Sequence, residues 1–111
     1  MSITNIRKRD GRTVEFDQTK IENAILRAFQ ASSSAKGRET AQALAQQVVQ
    51  ELENNENVSS TPTVEQVQDT VERVLIEKGF VRSAKAYILY RAERSRVREM
   101  NTRLMPGSID D

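Results

Sequence analysis

Cysteine and histidine are both missing from the 111 residues. Without cysteine the chain can form no disulfide, no thiolate zinc site and no thiyl radical. Without histidine it lacks the usual general base and the commonest metal ligand. No apolar run reaches the roughly 18 residues of a membrane helix, and the N-terminus carries no apolar core of a secretory signal, so a cytoplasmic location is the default expectation. Low-complexity tracts and internal repeats are absent as well, and the Asp and Glu residues show none of the paired arrangements that acid–base catalysis or a metal cage would need. A chain of this length supports one domain with a single core and little room for a buried catalytic cleft. These absences describe a module and not a complete enzyme.

Charge is plentiful and unevenly placed. The formal net charge is +1, yet residues 1–20 carry five cations and three anions, residues 21–80 five and nine, and residues 81–103 seven and two. If folding brings the two basic ends together, they form one positive site over an acidic body. On charge alone, two solubilising surface faces explain the pattern equally well.

The most informative stretch is Ile6-Arg7-Lys8-Arg9-Asp10-Gly11-Arg12, followed by Val14-Glu15-Phe16-Asp17 and Lys20-Ile21. Asp10-Gly11 is a strong hairpin signal, because a tight turn needs positive φ and glycine supplies it without steric cost. Strands are expected over residues 2–9 and 12–16. A strict two-residue turn would place Ile6 on the opposite face from Val14 and Phe16, and a bulged or longer loop would return it to their side. Asp17 reads as the N-cap of a first helix with Ile21, Ala24, Ile25, Ala28 and Phe29 in one apolar stripe. Lys8, Arg9 and Lys20 then gather beside a helix N-terminus, whose free amides favour anions, and this makes a polyphosphate pocket plausible.

A serine-rich loop ending at Gly37 leads to a second helix with Ala41, Leu44, Ala45, Val48, Val49 and Leu52 inward. Val58-Ser59-Ser60 is a candidate third strand, since two strands alone are marginal. Thr63 and Gln66 have the spacing of a capping box ahead of a third helix with Val64, Val67, Val71, Val74 and Leu75 inward, ending at Gly79. Ser83 is the expected cap of a fourth helix, with Ala84, Tyr87, Ile88 and Arg91 on its inner side. Beyond Ala92 the apolar face fades, the cations Arg94, Arg96 and Arg98 read as a solvated face, and Pro106-Gly107 ends the helix. Tyr87 and Tyr90 cannot both face the core at their spacing, which puts one of them at a pocket or a partner surface. The expected class is α+β: a four-helix bundle capped by a β-hairpin or a three-stranded sheet.

Two parts of this pattern together resemble a known family, the ATP-cone, the nucleotide-sensing domain at the N-terminus of many ribonucleotide reductases. The first signature is similar to Ile6, Lys8 to Gly11, Phe16-Asp17 and Lys20-Ile21, and the second to Ala84-Lys85-Ala86-Tyr87-Ile88-Leu89-Tyr90-Arg91. The resemblance spans residues 3–92 and divides the chain into a nucleotide-binding domain, 1–92, and a helical extension with its tail, 93–111. Residues 98–105 are similar to the segment that links cone to catalytic barrel in anaerobic ribonucleoside-triphosphate reductases.

The resemblance implies a regulatory domain, without chemistry of its own, that binds ATP or dATP as effector, with Mg²⁺ arriving on the triphosphate. Carried over by position, Lys8, Arg9 and Lys20 contact phosphates, and Arg91 brings a further cation from the last helix, with Lys85 as its rival. Asp17 matches a position near the nucleoside, a role compatible with capping because a cap uses one carboxylate oxygen. Val64 and Gln68 close the pocket from the third helix. Val14, Phe16 and Ile21 supply apolar contact for adenine, with Ile6 in the same site, although Phe16 also reads as core. The implied partners are adenine nucleotides, a reductase catalytic domain or subunit, and a second copy of the chain, since family behaviour works through subunit association. A similar cone occurs in a transcriptional repressor of reductase genes behind a zinc ribbon. That ribbon needs four cysteines, so nucleic acid is a weak expectation here. A cone that has lost its ligand is the remaining alternative, and the intact Lys8, Arg9 and Lys20 argue against it.

Overall fold

The computed structural model describes residues 3–104. The elements run β1 (Asn5–Arg7), β2 (Thr13–Glu15), α1 (Gln18–Ala31), α2 (Arg38–Asn54), α3 (Val64–Glu77) and α4 (Val81–Leu104). This is the α+β arrangement expected, four helices and a small antiparallel sheet. The helices form a closed ring in which α1 packs on α2, α2 on α3, α3 on α4 and α4 back on α1.

The hairpin turns through Arg9, Asp10 and Gly11. The Gly11 amide donates to the Lys8 carbonyl at 3.0 Å and the Lys8 amide to the Arg12 carbonyl at 2.7 Å. Gly11, at φ +90°, supplies the left-handed residue that closes a three-residue loop of this kind. Asp10 stiffens the turn by accepting from the Arg12 amide at 3.0 Å and from its guanidinium at 2.7 Å. The longer loop settles the register. Ile6 lies directly opposite Val14, with Arg7 opposite Thr13, so Ile6, Val14 and Phe16 share one side, and Ile6 and Phe16 pack against the core.

The expected third strand does not form at residues 58–60. The hairpin instead leans on the start of α3, where the Arg7 amide donates to the Pro62 carbonyl at 2.9 Å and Arg7 makes a single parallel bridge to Thr63. Pro62 has no N–H to extend a ladder, and at Thr63 the chain is already turning into a helix.

Local chemistry explains the helix ends. Asp17 Oδ1 accepts from the Thr19 amide at 3.0 Å and opens α1. Thr63 and Gln66 form a reciprocal capping box, with bonds of 2.9 and 3.1 Å. Gly79, at φ +88°, ends α3 in a Schellman motif: Phe80 N–H bonds to the Leu75 carbonyl at 2.8 Å and Gly79 N–H to the Ile76 carbonyl at 3.0 Å. This exit delivers Phe80 onto Phe29, with ring centroids 5.3 Å apart.

The inward residues of α1, α2 and α3 follow the helical stripes, with Phe29, Ile25, Leu52, Leu75, Val48, Val71 and Val74 fully buried. Two expectations for α4 are corrected. Because Phe80 is already docked, the helix begins at Val81, and Ser83 lies buried in its first turn. There its hydroxyl meets the Ser32 hydroxyl at 2.9 Å and caps nothing. Ile88 faces outward at 41% exposure, because Ala84 and Tyr87 fill the seam between α1 and α3 and leave Ile88 one step off it. The helix passes residue 92 without a break. The expected stop at Pro106-Gly107 lies outside the described residues. Among those described, no helix is long and apolar enough to cross a membrane.

Candidate functional site

A cavity of about 380 Å³ opens beneath the hairpin, between α1, α3 and α4. The hairpin and its exit contribute Ile6, Lys8, Arg9, Val14, Phe16 and Asp17. Lys20 and Ile21 come from α1, Val64 and Gln68 from α3, and Arg91 from α4. These eleven residues, all singled out in the sequence, thus line one cavity, although they come from the hairpin and three helices. The reason is geometric: the register turns Ile6 and Val14 downward, and the Arg7–Pro62 bond holds the hairpin over the start of α3.

One wall is apolar, formed by Ile6, Val14, Phe16, Ile21 and Val64. The cations ring the remainder. Asp17 uses Oδ1 for its cap, which leaves Oδ2 available. Arg9 is not isolated, since its Nε lies 2.9 Å from Glu65 Oε2. Arg91 is held more firmly: its guanidinium bonds to Asp69 at 2.9 Å and makes a second, shorter contact with Glu72. Partial burial works against the Arg91 charge, but the bonds from Asp69 and Glu72 outweigh it and push the basicity of the group up. Gln68 contributes the one buried side-chain polar atom without a hydrogen-bond partner among the described residues, its Oε1. An orphan acceptor beside a cavity is suited to a ligand N–H or O–H.

The cavity also takes in Arg27 and Arg94 and both tyrosines of α4, Tyr87 and Tyr90, of which the spacing had put only one at a pocket or partner surface. Tyr87 is buried, which pushes its phenol well above the usual range and keeps it a neutral hydrogen-bonding group. Tyr90 is half-buried and accepts from Arg27 Nη1 at 3.2 Å. The guanidinium carbons of Arg27 and Arg94 lie 5.7 and 6.0 Å from the Tyr90 ring centroid. Arg94, read as part of a solvated face, is exposed but stands at the cavity rim. Arg27 was legible in principle, since it follows Lys20 by seven residues, two turns along one face. Lys85 is not among the lining residues, so of the two rivals on α4 it is Arg91 that reaches the cavity. No group of three or more Asp or Glu placed to hold a metal ion occurs among the described residues.

With this geometry in place, the comparison with known proteins is direct. The model of the ATP cone domain matches residues 4–96. The chain belongs to the ATP-cone family. It is 40% identical over 99 residues to a ribonucleoside-diphosphate reductase subunit alpha of Chlamydia muridarum, a match covering 83% of this chain and 10% of that protein. It is 39% identical over 102 residues to a vitamin B12-dependent ribonucleoside-diphosphate reductase of Thermoplasma acidophilum, covering 87% of this chain and 13% of that one. An anaerobic ribonucleoside-triphosphate reductase of Salmonella typhimurium is 34% identical over 100 residues, covering 90% and 13%. This ATP-cone therefore spans about a tenth of the length of the reductases it matches. Both diphosphate and triphosphate reductases are among its relatives.

Proposed function

We propose that this ATP-cone binds ATP or dATP in the cavity beneath the hairpin and, as part of a ribonucleotide reductase in the cytoplasm, sets the activity of that enzyme according to which nucleotide is present. The observation that carries the reading is the convergence of hairpin, α1, α3 and α4 residues on one cavity with an apolar wall, a ring of cations and an orphan acceptor. Lys8, Arg9, Lys20 and Arg91 take the phosphates, lysine as point charge and arginine as fork. Ile6, Val14, Phe16, Ile21 and Val64 shelter the base. Asp17 and Gln68 offer acceptors to ribose or base. Mg²⁺ travels with the triphosphate, and Glu15 and Asp17 are the carboxylates in the cavity lining that could stand near it.

The chain itself supplies affinity and no chemistry. ATP and dATP differ at one ribose hydroxyl, so a large response needs an interface with two arrangements that the nucleotide biases, typically by about 1–3 kcal/mol. We assign that interface to the outer surface of α1 and α4, where Leu89 stands 64% exposed beside the basic rim. Isothermal titration with ATP and dATP tests the binding, with an affinity near micromolar, about −8 kcal/mol, expected. No heat and no thermal shift at millimolar ATP would refute it. Light scattering with ATP, dATP and no nucleotide tests the assembly, and three identical masses would remove that part for the isolated chain.

A further inference from the structure

Five of the six cations that line the cavity fall into two groups. Lys20, Arg27 and Arg94, on α1 and α4, make no ion pair with a carboxylate among the described residues, whereas Arg9 pairs with Glu65, and Arg91 with Asp69 and Glu72. Glu65, Asp69 and Glu72 stand at i, i+4 and i+7 of α3 and so form one stripe along the cavity's flank. The two arginines reach that stripe from different elements, Arg9 from the hairpin and Arg91 from α4. A single helix face thus neutralises the cations that cross the cavity from both sides.

We infer that Glu65, Asp69 and Glu72 are affinity-setting residues: they occupy Arg9 and Arg91 in the absence of ligand, and a nucleotide's phosphates must take their place. The inference rests on the nucleotide reading and deepens it. A phosphate approaching Lys20, Arg27 or Arg94 meets no competing carboxylate, Arg27 and Arg94 being engaged by the neutral Tyr90, whereas one approaching Arg9 or Arg91 competes with a carboxylate already at bonding distance. The exchange conserves the charge on each arginine but removes its tie to α3. Binding therefore loosens α3 from both hairpin and α4 while the phosphates tie those two elements to each other. The exchange couples the ligand to the relative placement of three elements through carboxylates that flank the cavity.

Asp69 is 72% exposed while Glu72 and Arg91 are 22% and 20% exposed, so Asp69→Asn is the variant least able to disturb the fold and Glu72→Gln removes the better-held partner. Glu65→Gln tests the same idea at the independent hairpin pair. The experiment is calorimetric titration of ATP into the wild-type chain, the three single variants, Arg91→Ala, and Arg91→Ala combined with Asp69→Asn, with thermal melts of each. Each single neutralisation should tighten ATP binding by roughly two- to fivefold, the range of a solvent-exposed ion pair. In the Arg91→Ala background the Asp69→Asn gain should vanish, because a general field effect would persist there and a released partner would not. If the wild type binds ATP and the neutralised variants bind it equally or more weakly, the exchange is overturned and the nucleotide site stands. If folded wild type and variants all fail to bind, the site itself is refuted and the exchange with it.

Discussion

Replacing Gln68 by leucine should move folding and binding in opposite directions. Gln68 lies on α3 one turn after Val64, at the cavity, with its Oε1 closed off from solvent and without a donor. A buried acceptor left unpaired costs about 1–3 kcal/mol, and an apolar group of similar size removes that cost. At the lower end of that range, Gln68→Leu should stabilise the unliganded protein by about 1 kcal/mol, which for a domain of this size raises the melting temperature by about 4–8 °C. If the same oxygen accepts from a bound nucleotide, the variant loses one hydrogen bond of about 0.5–1.5 kcal/mol, weakening ATP two- to roughly tenfold. Thermal melts of the free protein followed by titration with ATP read both signs. A lowered melting temperature with unchanged affinity would refute the reasoning, since Gln68 would then be structural support and not an acceptor kept for the ligand.

Other outcomes follow from the same geometry. Lys8→Ala should weaken ATP by about 1.5–3 kcal/mol, the worth of a charged hydrogen bond, while barely moving the melting temperature of the free protein, because cations at a solvent-facing edge contribute little to folding; calorimetry and melts separate the two. Gly79→Ala should cost roughly 1–2 kcal/mol of stability, because Gly79 sits at φ +88° while an added Cβ meets nothing within 4 Å, leaving backbone conformation as the sole penalty; chemical denaturation of the variant measures it. For acid sensitivity, the Arg73 guanidinium bonds to Glu51 at 2.6 Å and, against partial burial and with help from Gln47, holds its carboxyl below the usual glutamate range. The folded state then takes up this proton less readily than the unfolded one. Its stabilisation is fully present above about pH 4.3 and fades as pH falls through the lower folded value, so Glu51→Gln should flatten the fall in melting temperature between about pH 5 and pH 3.

Much of the architecture follows from short-range rules. The stripe Ile21, Ile25, Ala28, Phe29 recurs at helical spacing, Asp17 and Thr63 carry the side-chain oxygens that helix starts require, and Gly79 takes the backbone angle that others avoid. Each needs only residues within about two turns of itself, so each was visible in the chain. The cavity residues were visible for a different reason: Lys8, Arg9, Lys20 and Arg91 stand in two signatures shared by a family, and the structure gathers them around one opening. Arg27 lies outside both signatures and was passed over, and the spacing of Tyr87 and Tyr90 put only one of them at a pocket or partner surface whereas both line the cavity.

Sequence alone was enough for the hairpin, the four helices, the caps at Asp17, Thr63 and Gly79, and the family. Tertiary structure alone decided how those elements meet. The hairpin register depended on a three-residue loop whose closing bonds compete with a two-residue alternative made from the same Asp10-Gly11. Its third neighbour became the Pro62 carbonyl in place of a strand, because proline offers an acceptor and no donor. Ser83 paired with Ser32 across 51 positions of sequence, and Ile88 turned outward once Ala84 and Tyr87 had filled the seam. The partners of Arg9 and Arg91 were likewise a matter of distance between elements: Glu65, Asp69 and Glu72 carry no mark in sequence that distinguishes them from any acidic helix face. Periodicity and capping act within a few residues and are written in order along the chain, whereas register, burial and ion pairing depend on separations between segments that exist only after the segments have packed.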